Sequence, residues 1–302
     1  MPFGLNPAPE PAAGAAEPPR PEETPAPAVT PAPGESLHPP GPATSLGPAR
    51  PSSPPERLPP VPSPAIAGGE KAKARDIIAA IRALKTIERE QRAATAEERQ
   101  ALIRFGGFGP VALGIFPDPV SGRYKDATWQ SLGGELRTLL SPEDYASAKR
   151  TTFNAFYTSS TVIRAMYQGL KRLGVPDAAL TLEPGCGPGR FMYLAPQGMR
   201  FIGVELDSIS GRIARALHPD QDVRIENFRD TRLPEGRIGA VIGNVPFADL
   251  RLDYRGQKLS LHDFFFAKSI DALKPGGVMA LVTTHYTLDK LCGRPHNLSC
   301  VA

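Results

Sequence analysis

The stretch Glu183-Pro184-Gly185-Cys186-Gly187-Pro188-Gly189-Arg190-Phe191 decides how this chain folds. It directly follows an apolar run at 179–183 (ALTLE), which reads as a strand, and it precedes a stretch of helical pattern. A glycine-rich turn between strand and helix lets backbone amides come close to a ligand with no Cβ in the way. Working outward, the same alternation continues. Helices are predicted over 159–173, 208–217 and 262–273, with strands over 179–183, 200–205 (RFIGVE), 223–226, 238–243 (IGAVIG) and 277–283 (GVMALVT). Short apolar strands separated by helices indicate a doubly wound, mainly parallel α/β sheet of the Rossmann-like kind. No internal repeat is visible.

Ahead of the sheet, Ile77, Ile78, Ile81, Leu84 and Ile87 recur at helical spacing with Lys, Arg and Glu between them. A second helix starts near Thr95, an N-cap before the acidic first turn of T-A-E-E, and runs through Leu102 and Ile103 until Gly106 and Gly107. Phe105, Phe108 and Phe116 among glycines and prolines predict a compact irregular segment, and Ser141-Pro142-Glu143-Asp144 begins another short helix. Of the 35 prolines, 22 precede residue 71, in a stretch with almost no aromatic or branched side chains. Burial there cannot offset the entropy of ordering the chain. The expected organisation is therefore a disordered Pro/Ala-rich arm over 1–69, a helical segment over 70–150, the α/β domain over 151–290, and an atypical tail over 291–302.

The formal charge of +4 and a pI near 9.0 permit a nucleic-acid partner without arguing for one. Cys186, Cys292 and Cys300 form no CxxC pair or Cys/His cluster, so no metal site or disulfide framework is indicated, and a reducing cytoplasm fits. No apolar run approaches a membrane span, and the proline-rich start has no basic region leading into an apolar one, so neither membrane association nor secretion is expected.

Three elements carry chemistry. In the first, Gly185, Gly187 and Gly189 give GxGxG rather than GxGxxG or a GK[ST] ending, which argues against a nucleotide-phosphate turn. Glu183 in front would repel a pyrophosphate and attract an ammonium group; S-adenosylmethionine carries both an ammonium and a sulfonium. In the second, Gly203-Val204-Glu205-Leu206-Asp207, about 20 residues on, Glu205 ends the next strand, where a carboxylate can take both ribose hydroxyls of an adenosine cofactor. Asp207 reads as the N-cap of the following helix. The third, Asn244-Val245-Pro246-Phe247, sits at the carboxyl end of an apolar strand, where open α/β sheets place ligand chemistry. Alone it is an ordinary strand-to-loop turn with a packed Phe; after the other two, in this order, it suits a planar amino-bearing substrate.

These residues carry a family resemblance. Glu183 to Phe191, with Pro184 in second place, resembles motif I of amino-methyltransferases, and Asn244-Val245-Pro246-Phe247 is similar to their [DNS]-P-P-[FY] motif IV, with valine at the first proline. That position contributes mainly its carbonyl, which Val245 retains. Phe153-Asn154-Ala155-Phe156-Tyr157-Thr158 resembles the segment that precedes motif I in N6-adenine enzymes of this order, and the resemblance implies that Tyr157 and Thr158 cover the cofactor's methionine end. Where many adenine enzymes have Asp-Phe to hold the cofactor adenine, Asn227-Phe228 stands here, and the resemblance implies that the Asn227 amide bonds the adenine and Phe228 flanks its ring. The run from about Ala94 to Lys290, including R-F-G-G-F-G, L-H-D-F-F-F-A-K and L-K-P-G-G-V-M-A-L-V-T-T, is similar to the large methylase-helicase proteins of conjugative plasmids and phages.

The resemblance implies a Rossmann-like S-adenosylmethionine-dependent methyltransferase acting on adenine N6 in DNA, the methylase part of a mobile-element or antirestriction protein. DNA and a helicase segment encoded downstream are the partners it implies. Asn244 and the Val245 carbonyl would hold the target amine and Phe247 would stack on the base. The alternatives are methylation of another planar amine or amide, in an RNA base or a protein glutamine, and a non-catalytic remnant. The remnant reading stands because the 291–302 tail matches neither of the further strands such domains carry and is expected to mark a truncation or frameshift. His262, His285 and His296 read as ordinary surface or loop residues, and the basic stretch Arg251–Lys258 as a solvated loop or a contact to DNA phosphate.

Overall fold

The structure, a computed structural model, describes residues 68–151 and 158–284. Most of the Pro/Ala-rich arm, Tyr157, His285, His296 and the 291–302 tail lie outside the described residues.

The front of the chain is helical: α1 (Glu70–Glu90), α2 (Ala96–Ile103), a 3-10 turn (Gly109–Val111), α3 (Ala112–Ile115), α4 (Ala127–Leu139) and α5 (Pro142–Thr151). The apolar face read in α1 is the buried one, from Ala74 to Ile87. α2 starts where expected, on a reciprocal cap: the Thr95 hydroxyl accepts from the Glu98 amide (3.2 Å) and the Glu98 carboxylate from the Thr95 amide (2.8 Å). Phe105 and Phe108 pack edge to face, and Phe116 lies tilted against Phe108, in the core of this lobe. The pattern did not predict α4, because Gly133 and Gly134 interrupt it. A side chain at Gly133 would collide with the Tyr124 ring and the Ile115 carbonyl, so the glycine is there for close packing, not to end a helix.

α6 (Ser160–Arg172) leads into the sheet: β1 (Leu180–Pro184), α7 (Arg190–Tyr193), β2 (Arg200–Glu205), α8 (Ser208–Leu217), β3 (Asp222–Ile225), β4 (Ile238–Asn244), the hairpin β5 (Arg251–Tyr254) and β6 (Gln257–Ser260), α9 (Leu261–Ala272) and β7 (Leu273–Val282). Five parallel strands run in the order β3-β2-β1-β4-β7. This is the doubly wound, Rossmann-like arrangement expected, with strand order reversing at β1. One face packs under α6 and α8 through Ile163, Leu170, Phe201, Ala214 and Ile242; the other packs under α9 through Leu182, Ile202, Val241 and Phe264. Strands buried on both faces read as continuous apolar runs, which is why β2 and β4 could be found so closely from sequence.

Two corrections concern the back of the domain. The stretch 251–258 is not a loop: it forms most of an antiparallel hairpin, turned through Arg255 and Gly256 at positive φ (50° and 76°). β7 begins four residues before the expected Gly277, its register interrupted near Gly276, which also has positive φ. Among the described residues, no helix is long and apolar enough to cross a membrane.

Candidate functional site

In an open sheet of this order the crevice lies past the carboxyl ends of the strands flanking the reversal, here β1 and β4. A cavity of about 290 Å³ lies there. It gathers Glu183, Gly185 and Gly187 from the end of β1, Glu205 from the end of β2, Asn227 and Phe228 after β3, and Asn244, Val245 and Pro246 from the end of β4. The turn after β1 and the turn after β4 nearly touch, since a Cβ on Gly185 would stand 3.4 Å from the Pro246 ring.

The glycines are required by conformation. Gly185, Gly187 and Gly189 all have positive φ (72°, 54° and 79°). Gly189 is doubly constrained: a Cβ there would meet the His218 ring at 2.7 Å, and His218 Nε2–H donates to the Gly189 carbonyl at 3.0 Å. Gly189→Ala is therefore expected to destabilise the fold by about 1–2 kcal/mol for the left-handed backbone and about 1–3 kcal/mol more for the overpacking. Urea denaturation checks this, and an unchanged midpoint would reject it.

The carboxylates differ in environment. Glu183 is 1% exposed, and its Oε2 has no hydrogen-bond partner among the described residues. Burial pushes its carboxyl well above the usual range, and the Glu205 charge adds to this, while the Phe191 and Met192 amides act in the opposite sense. A cation beside it would restore the ionised form. Glu205 accepts from the Gly187 amide (2.7 Å) and the Asp207 amide (2.8 Å). Removal from water, then repulsion from Asp207, raises it to about 7. A carboxylate has about four lone-pair sites, so two stay open for a vicinal diol. Asp207 caps α8 through the Ser210 amide (2.9 Å) and accepts from Ser147 (3.2 Å), which commits it to structure as the sequence indicated.

Several residues stand apart from the simple sequence picture. Tyr157 lies outside the described residues, whereas Thr158 lines the cavity with its hydroxyl buried and unpartnered among the described residues. Asn227 spends its side-chain oxygen on the Arg229 amide (3.0 Å), and Phe228 stacks on Phe265 at 4.8 Å as part of the core. Phe247 lines a second cavity, of about 280 Å³, that shares Ala248, Leu250 and Leu261 with the first. Pro184 is buried behind the turn and does not line the first cavity.

The sequence reading missed four contributions. Gly107 and Phe108, from the helical front lobe, line the first cavity, and Gly107 has positive φ (64°). Arg190 is the sole Lys, Arg or His among its lining residues. Leu206 and Leu250, both more than half exposed, provide apolar walls. His262, read as an ordinary surface or loop residue, is half-buried and hydrogen-bonded to the Pro246 carbonyl. The R-F-G-G-F-G run was the available signal for the first; Arg190, Leu206 and His262 stand inside the quoted runs without a site role assigned to them, and nothing in the local pattern marked Leu250.

No protein-family model matches the chain. It is 30% identical over 135 residues to "Defense against restriction protein B" of Escherichia phage P1, a match covering 42% of this chain and 6% of that relative's length. Among solved structures, the methyltransferase subunit of a type I restriction-modification system from Streptococcus thermophilus is 18% identical, covering 75% of this chain and 58% of its own, with a TM-score of 0.38. A SAM-dependent O-methyltransferase from Thermotoga maritima is 14% identical, covering 45% of this chain and 49% of its own, with a TM-score of 0.35. The fold class rests on strand order and register, not on these likenesses.

Proposed function

We propose that this chain is an S-adenosylmethionine-dependent methyltransferase that modifies adenine N6 in DNA, as the methylase part of a larger mobile-element protein. One observation carries the reading: Asn244-Val245-Pro246 at the end of β4 is brought against the Gly185–Gly189 turn in one cavity that also holds Glu183 and Glu205. The residues present fit the cofactor. Glu183 matches its ammonium, Arg190 its carboxylate, Glu205 the ribose hydroxyls, and Leu206 and Leu250 the adenine faces.

Bound S-adenosylmethionine would supply an electrophilic methyl group. The chain's own residues must prepare the acceptor. An exocyclic amine conjugated to a ring is a weak nucleophile, so acceptors are needed that hold its hydrogens and turn its lone pair toward the methyl group. The Asn244 side-chain oxygen and the Val245 carbonyl take this role. Val245 as a whole is 1% exposed and packs in the core while lining the cavity, so its role here is assigned to the backbone carbonyl that any residue at this position carries. Phe247, in the adjoining cavity, provides a ring for the base to stack on. A base in a duplex must be flipped out to reach this depth, costing about a few kcal/mol. The name of the phage relative speaks of defence against restriction, which accords with methylation that hides DNA sites.

The test is transfer from tritiated S-adenosylmethionine to DNA, RNA and protein by the full chain. Label in DNA recovered as N6-methyladenine is the expected result. Label in RNA or protein alone would move the substrate to another planar amine, and none in any of them, from a folded sample, would sink the reading.

A further inference from the structure

His262 joins three elements that meet at the acceptor side of the site. It stands in the first turn of α9, half-buried, after the cap in which the Ser260 hydroxyl accepts from the Asp263 amide (3.3 Å). Its Nε2 lies 3.1 Å from the Pro246 carbonyl in the loop after β4. Its Nδ1 lies 2.9 Å from the Thr283 hydroxyl, one residue past β7. Phe247 meets the imidazole edge to face, with centroids 4.9 Å apart. A carbonyl oxygen can only accept, so Nε2 carries the proton, and in the neutral ring Nδ1 accepts from the Thr283 hydroxyl. The imidazole is thus fixed in one tautomer between the end of one strand and the loop after its neighbour, since β4 and β7 pair in register up to Asn244 and Val282.

We propose that His262 is a positioning residue: by holding the Pro246 carbonyl against α9 and β7, it sets the direction in which the acceptors of Asn244 and Val245 face the cavity. This rests on the methyltransferase reading above. Without the clamp, the peptide units on both sides of Pro246 can rotate, and an acceptor displaced by about 1 Å is enough to lose roughly 100-fold in rate. The effect is on the aim of the loop, so it belongs to kcat and leaves the Glu205 side of the cavity untouched.

The experiment uses the full chain and variants that separate the two nitrogens. Glutamine at 262 can place an amide N–H where Nε2–H stood, whereas asparagine reaches only as far as Nδ1. His262→Gln is expected to keep kcat within about threefold, while His262→Asn and His262→Ala lower it at least about tenfold with KM and cofactor affinity unchanged. The imidazole 15N spectrum should show a proton on Nε2. Equal losses in all three variants, a fall in cofactor affinity that tracks melting temperature, or a ring protonated at Nδ1 and not at Nε2 would overturn the proposal. If the wild-type chain methylates nothing, the methyltransferase reading fails separately, and backbone hydrogen exchange over 245–249 decides the clamp. Exchange that speeds up in the Asn variant but not in the Gln variant supports it; identical exchange in the two rejects it.

Discussion

Asn244→Ala is expected to reduce methyl transfer by about 100- to 1,000-fold, the effect of removing one pre-aimed hydrogen-bonding group at a reacting centre, while the dissociation constant for S-adenosylmethionine stays within about twofold. Asn244 closes β4 and lines the cavity beside Pro246, on the acceptor side of the Gly-rich turn. Its amide would act on the amine during transfer, whereas the proposed cofactor contacts at Glu183, Arg190 and Glu205 come from other strands and turns. Single-turnover transfer and calorimetric titration on the same preparation separate the two effects. Asn244 also pairs in register with Val282. If transfer, cofactor binding and melting temperature all collapse together, the residue holds β4 to β7, and the catalytic assignment is wrong.

Glu205→Gln should weaken cofactor binding by about 10- to 100-fold, the range for a lost hydrogen bond to a charged group, about 1.5–3 kcal/mol. pH supplies a second, independent signature. Glu205 is raised to about 7 in the ligand-free chain, mainly by removal from water and then by Asp207; Glu183 and Cys186 are the other titratable groups that sense its charge. Its ionised form offers the acceptors a ribose diol needs, so affinity should fall as pH drops through 7, approaching about tenfold per unit below it if only the ionised form binds, and the variant should lose that slope. The stability effect has the opposite sign. An acid whose folded value lies above its unfolded one binds protons more tightly when folded, so the fold loses stability as pH rises from about 4.5 to about 7. The ligand-free variant should therefore melt higher than the wild type at pH 8, with a smaller difference near pH 5. A variant that binds the cofactor as well as wild type at every pH would place the diol elsewhere.

The contrast between what the sequence announced and what it hid has a physical pattern. β2 and α8 were readable to the residue because a strand buried on both faces must be continuously apolar and a helix after it must be capped, and RFIGVE followed by Asp207 meets both conditions. Glu183, the glycines and Asn244 were readable because they lie within a few residues of strand ends. The hairpin was missed because its four-residue strands are too short to show alternation, and its turn uses Arg255 at positive φ where Asn or Asp is the usual signal. Leu250 and His262 were missed for a different reason. Their roles depend on which elements face each other across the crevice, and a local pattern carries no information about that.

α8 is shared between two parts of the chain. Its stripe of Ile209, Ile213 and Leu217 is buried in the same cluster as α1 and the phenylalanines of the front lobe. Arg212 reaches Asp144 (2.6 Å) and Glu88, and Ser208 donates to Asp144 (2.5 Å), just beyond the Glu205-Leu206-Asp207 turn. A gene fusion or recombination event with its breakpoint near residue 151 would carry off the sheet with its glycine-rich turn and the Asn244 loop intact and still strip the cover from this helix, baring three large apolar side chains along it. A segment inherited or transplanted with the apolar stripe of α8 still covered therefore includes α1.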